Sequence, residues 1–215
     1  AFVVFNEYMW AFGSMSSYRS SDGRNWEQVE LPPFIPRAAT IFQNKIWMLD
    51  YNHSVWSSEN GLAWTLIADK TPWLARTWPA WVSLKGRLWL FGGGGYSDGQ
   101  YFYRNDVWSS EDGKNWSLIS SAAPWQGRFW HGSAAYDGKL WILGGYRQDN
   151  SIGRGDFNDV WFSEDGLSWK PQDRVEWTPR HAMFVWVARG SLWISSGFGD
   201  SSDPYNDVWQ YTSAY

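Results

Sequence analysis

The sequence predicts an all-β chain, a propeller of four-stranded blades with about five repeats, the last lacking its fourth strand. Three recurring strings carry that prediction. Gly86-Arg87-Leu88-Trp89-Leu90-Phe91-Gly92-Gly93 returns as Gly138-Lys139-Leu140-Trp141-Ile142-Leu143-Gly144-Gly145 and again as Gly190-Ser191-Leu192-Trp193-Ile194-Ser195-Ser196-Gly197, with the Trp residues 52 apart both times. Downstream of each lies a second string, Asn105-Asp106-Val107-Trp108, Asn158-Asp159-Val160-Trp161 and Asn206-Asp207-Val208-Trp209. After the first two comes a third, Glu111-Asp112-Gly113-Lys114-Asn115-Trp116 and Glu164-Asp165-Gly166-Leu167-Ser168-Trp169, whose Asp-Gly suits the φ > 0 positions of a tight hairpin turn.

Taken in order, the first repeat (about 1–30) reads as strands over roughly 1–5, 7–13, 16–20 and 25–30. Tyr8-Met9-Trp10 lies on the second, and Ser21-Asp22-Gly23-Arg24-Asn25-Trp26 leads into the fourth. The second repeat (31–70) has Lys45-Ile46-Trp47, Ser54-Val55-Trp56 and Glu59-Asn60-Gly61-Leu62-Ala63-Trp64. Its period is shorter because less chain separates its second and third strands. Repeats three (71–122) and four (123–175) insert long loops there, Gly94 to Arg104 and Tyr146 to Phe157; the first is Tyr-rich and reads as an adaptable recognition loop. The fifth (176–215) reaches Val208-Trp209-Gln210-Tyr211 with no Trp-bearing strand after it. An incomplete ring is therefore expected, with open sheet edges that invite pairing with another chain. The amino terminus has neither an initiator Met nor the layout of a signal peptide, as expected of a processed chain or a segment of a longer one.

Composition narrows the function classes. The 215 residues carry 44% apolar content and a net charge of -4, enough for a substantial core and too acidic to offer a broad basic face to nucleic acid. No run approaches the roughly 20 apolar residues of a membrane-spanning helix, so no membrane insertion is expected. The absence of Cys removes disulfides, thiolate metal sites and Cys nucleophiles. No cofactor and no metal site is expected. The glycine run at 92–95 lacks the Lys-Ser/Thr ending and following helix of a phosphate loop.

The 20 Trp divide by placement. Thirteen recur on second, third and fourth strands, where blade-to-blade packing requires large side chains. Others sit in the linkers entering each blade. Trp73, Trp125 and Trp177 each precede an arginine by three residues (Arg76, Arg128, Arg180), Phe34 does so for Arg37, and Trp78 and Trp130 follow theirs by two. His131 and His181 follow Arg128 and Arg180 at unequal offsets. Repeated linkers gather on one rim, where arginines can bind carboxylate, sulfate or phosphate and indoles can stack on sugar rings or cations. The alternative reading is structural, with each Arg paired to an Asp or a backbone carbonyl and the indole packed on its stem.

The pattern resembles the kelch repeat, whose blades end the second strand with paired Gly and carry a Trp in the fourth. The likeness covers essentially the whole chain, departing at Ser195-Ser196-Gly197 and in the first two repeats, which lack the double Gly. The hairpin at 110–116 also resembles the Asp-box turn of sialidase-type propellers, with Asp adjacent to Gly instead of two residues before it. The kelch resemblance implies that Arg76, Arg128 and Arg180, each 13 residues before its second-strand Trp, lie at the mouth of the central channel, with Arg37 a looser match. The ligand-contact set it suggests is these four arginines with Trp73, Trp78, Trp125, Trp130, Trp177 and His131. The function expected is non-enzymatic recognition of a glycan or an acidic small molecule, or of another protein, by a secreted or cell-surface domain. One alternative is an enzyme resembling the kelch-type sialic-acid epimerases, with His131, His181 or Glu176 moving protons. Another is an architectural segment of a larger assembly. Copper oxidases of the galactose oxidase type need a Cys joined to a Tyr, and there is no Cys.

Overall fold

A computed structural model of the chain describes residues 1–149, 153–173, 175–199 and 203–213. The fold is an all-β, five-blade propeller of small antiparallel sheets, and no helix occurs among the described residues. Blade one comprises β1 (Phe2–Phe5), β2 (Tyr8–Phe12), β3 (Ser17–Ser20) and β4 (Glu27–Val29); blade two β5 (Pro36–Phe42), β6 (Lys45–Asp50), β7 (Val55–Ser58) and β8 (Thr65–Ala68). Blade three holds β9 (Ala80–Leu84), β10 (Arg87–Phe91), β13 (Val107–Ser110) and β14 (Ser117–Ser120), interrupted by a separate hairpin of β11 (Gly94–Ser97) and β12 (Gln100–Tyr103). Blade four has β15 (Gly132–Tyr136), β16 (Lys139–Asp149), β17 (Gly153–Ser163) and β18 (Trp169–Pro171). Blade five has three strands among the described residues, β19 (Phe184–Ala188), β20 (Ser191–Ser195) and β21 (Val208–Tyr211).

The two segments expected as loops are largely strand. Gly94 to Arg104 forms β11 and β12, and most of Tyr146 to Phe157 extends β16 and β17, paired from Tyr146↔Asp156 to Asp149↔Gly153. The extra residues zip into a ladder because antiparallel neighbours satisfy each other's backbone groups. The tip of the second extension, 150–152, lies outside the described residues.

The fourth-strand turns explain the Ser-x-Asp/Asn-Gly-x-x-Trp string. In blade three the Ser110 Oγ accepts from Gly113 N at 2.8 Å, while Asp112 Oδ1 accepts from Lys114 N (2.9 Å) and Asn115 N (2.7 Å). Trp116 Nε1 closes the turn on Gly113 O at 2.9 Å. Ser20, Ser58 and Ser163 repeat the first contact, and Asp22, Asn60 and Asp165 the second. Second-strand indoles also have a fixed partner: Trp10, Trp47, Trp141 and Trp193 donate to the carbonyl five residues upstream. Of the thirteen strand Trp, Trp10, Trp47, Trp89, Trp141 and Trp169 are buried, whereas Trp26 is 40% exposed.

The chain divides into two compact units, one of Ala1–Ala75, Trp81–Leu88 and Ser109–Ser117, the other of Arg76–Ala80, Trp89–Trp108 and Leu118–Tyr215. Within the first, Val3, Phe5, Trp10 and Phe12 of blade one pack with Ile46 and Met48 of blade two. Within the second, Ala134, Trp141, Leu143 and Val160 of blade four pack with Leu192 and Ile194 of blade five.

Candidate functional site

In the second unit each linker runs Arg-x-x, and the three positions have three fates. The arginine turns inward: Arg76, Arg128 and Arg180 are at most 2% exposed. Arg76 holds Asp106 through both guanidinium nitrogens, at 2.5 and 2.8 Å, and donates to Gly92 O at 3.2 Å. Arg180 does the same with Asp207 (2.5 and 2.7 Å) and Ser196 O (2.9 Å), and Arg128 with Asp159 and Gly144 O. Each aspartate also accepts from the third-strand indole two residues later, Trp108, Trp161 or Trp209. Hydrogen bonding from Arg180 takes the Asp207 carboxyl down to about 2. The Asn-Asp-Val-Trp string thus exists to clamp an arginine and an indole within one blade. The bidentate geometry is the strongest form such a contact takes. It commits the terminal guanidinium nitrogens inward, in line with the structural reading of these arginines.

The paired glycines serve the same joint. Gly93 and Gly145 have φ of +84° and +106° and donate to the carbonyls of Arg128 and Arg180 at 2.9 Å, tying each blade to the next linker. A Cβ on Gly93 would come within 2.7 Å of Thr77 O. Ser196 stands where the first Gly of the pair is found elsewhere and keeps its φ of +60°.

The second linker residue makes a single-residue bridge, Thr77↔Gly94, Phe129↔Tyr146 and His181↔Phe198. The third is then thrown into the left-handed region: Trp78 at φ +51°, Trp130 at +56° and Ala182 at +53°. A bulky residue there costs on the order of 1 kcal/mol or more and marks a position held for a reason other than local preference.

Two indoles come together by this route. Trp78 is 50% exposed and its ring lies 5.0 Å from that of Trp130, which stacks on His181 at 5.2 Å. Phe129 and Tyr146 are buried and back these rings from within, and Tyr103 flanks them half-buried: Phe129 meets Trp130 at 4.5 Å and stacks on Tyr103 at 5.3 Å, and Tyr146 meets His181 at 5.2 Å. The added hairpins are locked at this edge, since the Tyr103 hydroxyl donates to Gln148 O (3.0 Å) and accepts from Gln148 N (2.7 Å). Polar groups border the rings: Asp156 Oδ1 lies 2.6 Å from His181 Nδ1, and Arg147 sits over Tyr103 at 5.1 Å.

The other linker residues lie elsewhere. Trp73, Trp125 and Trp177 are buried, the first two edge-on to Trp116 and Trp169. Arg37, in the first unit, lies 4.5 Å above Tyr51. Its blade uses Asp50 differently, to accept from Ser54 N and Trp56 Nε1. His131 is enclosed beside Phe91 and Gly92, and burial takes its pKa down to about 4. Its unfolded value is about 6.5, so the unfolded chain binds the extra proton in between, and stability present above about pH 6.5 falls as the pH drops towards 4. Urea midpoints at pH 7.5, 6 and 5 are expected to fall in the parent and to flatten in His131→Gln. The same slope in the variant would place the titrating group elsewhere.

No group of three or more His, Cys, Asp or Glu able to hold a metal occurs among the described residues. The sequence signal for Trp78 and Trp130 was their fixed offset from Arg. His181 was visible only as an isolated histidine, and Tyr103 and Tyr146 only as loop tyrosines. No curated protein matches the chain. A family model described as the DUF6242 beta propeller domain matches residues 1–212.

Proposed function

As the chain belongs to the DUF6242 beta propeller domain family, we propose that it is a binding module of kelch-type repeats whose ligand is a glycan held on the Trp78–Trp130 surface. The single observation that carries the reading is the pair of indoles from consecutive linkers, 5.0 Å apart, one half exposed, both kept in a backbone region that bulky residues avoid. Flat apolar faces bordered by a few polar groups suit a sugar ring, which presents C–H faces to the rings and hydroxyls to His181 and Arg147, with the buried Asp156 carboxylate orienting the His181 ring. The inward Arg–Asp clamps remove the main support for an acidic ligand and for arginine-held sugar-acid chemistry, and favour a neutral glycan. Such a ligand accords with a secreted or cell-surface location.

A glycan screen read by Trp fluorescence tests this. A hit is expected to weaken about tenfold in Trp78→Ala and at least as much in Trp130→Ala, each losing one stacking face. A saturable hit indifferent to both substitutions, or silence across the screen with the chain folded, would remove the proposal.

A further inference from the structure

Blade five and the linker before it leave a cavity of about 180 Å³, lined among others by Trp141, Leu143, Val160, Val175, Trp177 and Tyr211. The chain itself shows what occupies the equivalent place elsewhere. In blade four the fourth-strand Trp169 packs edge-on against Phe91 (5.4 Å), two residues after the second-strand Trp of blade three, and against the linker residue Trp125 (5.7 Å). In blade two Trp64 packs edge-on against Phe12 (5.4 Å), again two residues after a second-strand Trp, and against the linker residue Phe34 (5.2 Å). Shifted one blade on, those two neighbours become Leu143, two residues after Trp141, and Trp177. Both line the cavity, which therefore stands where blades two and four seat their fourth-strand indole.

Its size agrees: a pocket of roughly 150 Å³ walled by apolar side chains is enough to take a benzene ring. The backbone agrees as well. Among the described residues β21 pairs with β20 on one side only, whereas β3, β7 and β17 each carry a further strand on the other. Residues after Trp209 do not encode the missing turn. Tyr211 stands in place of the Ser, Ser213 of the Asp and Ala214 of the Gly. Tyr211 instead lays its ring 5.3 Å from Trp141, the indole that a turn glycine would cover.

We propose that blade five accepts a further strand from outside residues 1–215: an extended segment of the Ser-x-Asp-Gly-x-x-Trp kind that pairs with the outer edge of β21 and seats its indole in this cavity. The site is continuous with the blade four–blade five interface, whose buried members Trp141, Leu143, Val160 and Trp177 form its wall. Ladder hydrogen bonds supply affinity to any extended segment, and the pocket supplies the selection for Trp.

A synthetic peptide with the sequence of residues 109–120, SSEDGKNWSLIS, added to the full chain in a calorimetric titration tests the proposal. One-to-one binding is expected, with slowed amide exchange at 208–211, and the Trp→Ala peptide is expected to bind at least about 30-fold more weakly. Val175→Trp, which fills the seat from within, should abolish binding without lowering the melting temperature; the peptide pair keeps the test valid if that variant folds poorly. Equal affinity of the two peptides, or no binding to the folded chain, would overturn the proposal. A dimer of the chain that the peptide fails to dissociate would assign the edge to a second copy and overturn it equally.

Discussion

Asp106→Ala is expected to destabilise the domain by about 3–5 kcal/mol, because it leaves the Arg76 charge buried without its counter-ion. The Arg76 side chain is 1% exposed and that of Asp106 18%, so water cannot take over the lost contacts. Burial alone would raise the Asp106 pKa; the hydrogen bonds and charge of Arg76, with the Trp108 donor, outweigh it and leave the carboxyl below its usual value. The same substitution leaves Trp108 without its acceptor. For a chain of this size the loss corresponds to a fall in melting temperature on the order of 10 °C. Asp106→Asn keeps one acceptor and the shape and should lose less. A urea titration decides: a loss below about 1 kcal/mol for the alanine variant would mean that the clamp is not what holds the linker to its blade.

That clamp shows where the sequence is legible and where it is not. The strand Trp, the Asp-Gly turns and the blade count follow from periodicity, since each repeat solves the same packing problem. The Arg–Asp pairing is also repeated, but its partners are 27 to 31 residues apart, and nothing in either string says that one closes on the other. Both halves were visible; the three-dimensional loop that joins them was not. The aromatic surface is legible in part for a related reason. Trp78 and Trp130 keep a fixed offset from Arg, whereas Tyr103 arrives on a hairpin extension whose length follows no repeat. That extra chain in repeats three and four would form strands was hidden because ladder formation depends on register, which a Tyr- and Gly-rich run specifies weakly. Trp125 and Trp177 keep an offset just as fixed, three residues before Arg, yet their side chains are buried in the inter-blade layer.

The turn glycines make the sharpest test of that layer. Gly166 has φ +73°, and a Cβ there would lie 2.3 Å from the Trp89 ring, a distance no packed pair tolerates. Gly86 has nearly the same φ, +72°, but a Cβ there meets nothing within 4 Å. Gly86→Ala therefore carries the backbone cost alone, about 1–2 kcal/mol for a left-handed non-glycine residue. Gly166→Ala adds the overpacking of a closed interface, about 1–3 kcal/mol, because Trp89 is buried and has no room to retreat. Its total of about 2–5 kcal/mol should appear in a denaturant titration as a loss about 1–3 kcal/mol greater than that of the control. The difference between the two variants isolates the contact from the dihedral. If they fall together, the turn of blade four does not press on Trp89, and the repeated Gly is there for its backbone conformation only. If Gly166→Ala falls further, the glycine of the Ser-x-Asp-Gly-x-x-Trp turn is selected twice over: for a φ that other residues resist, and for the absence of a side chain where one blade's turn meets its neighbour's indole.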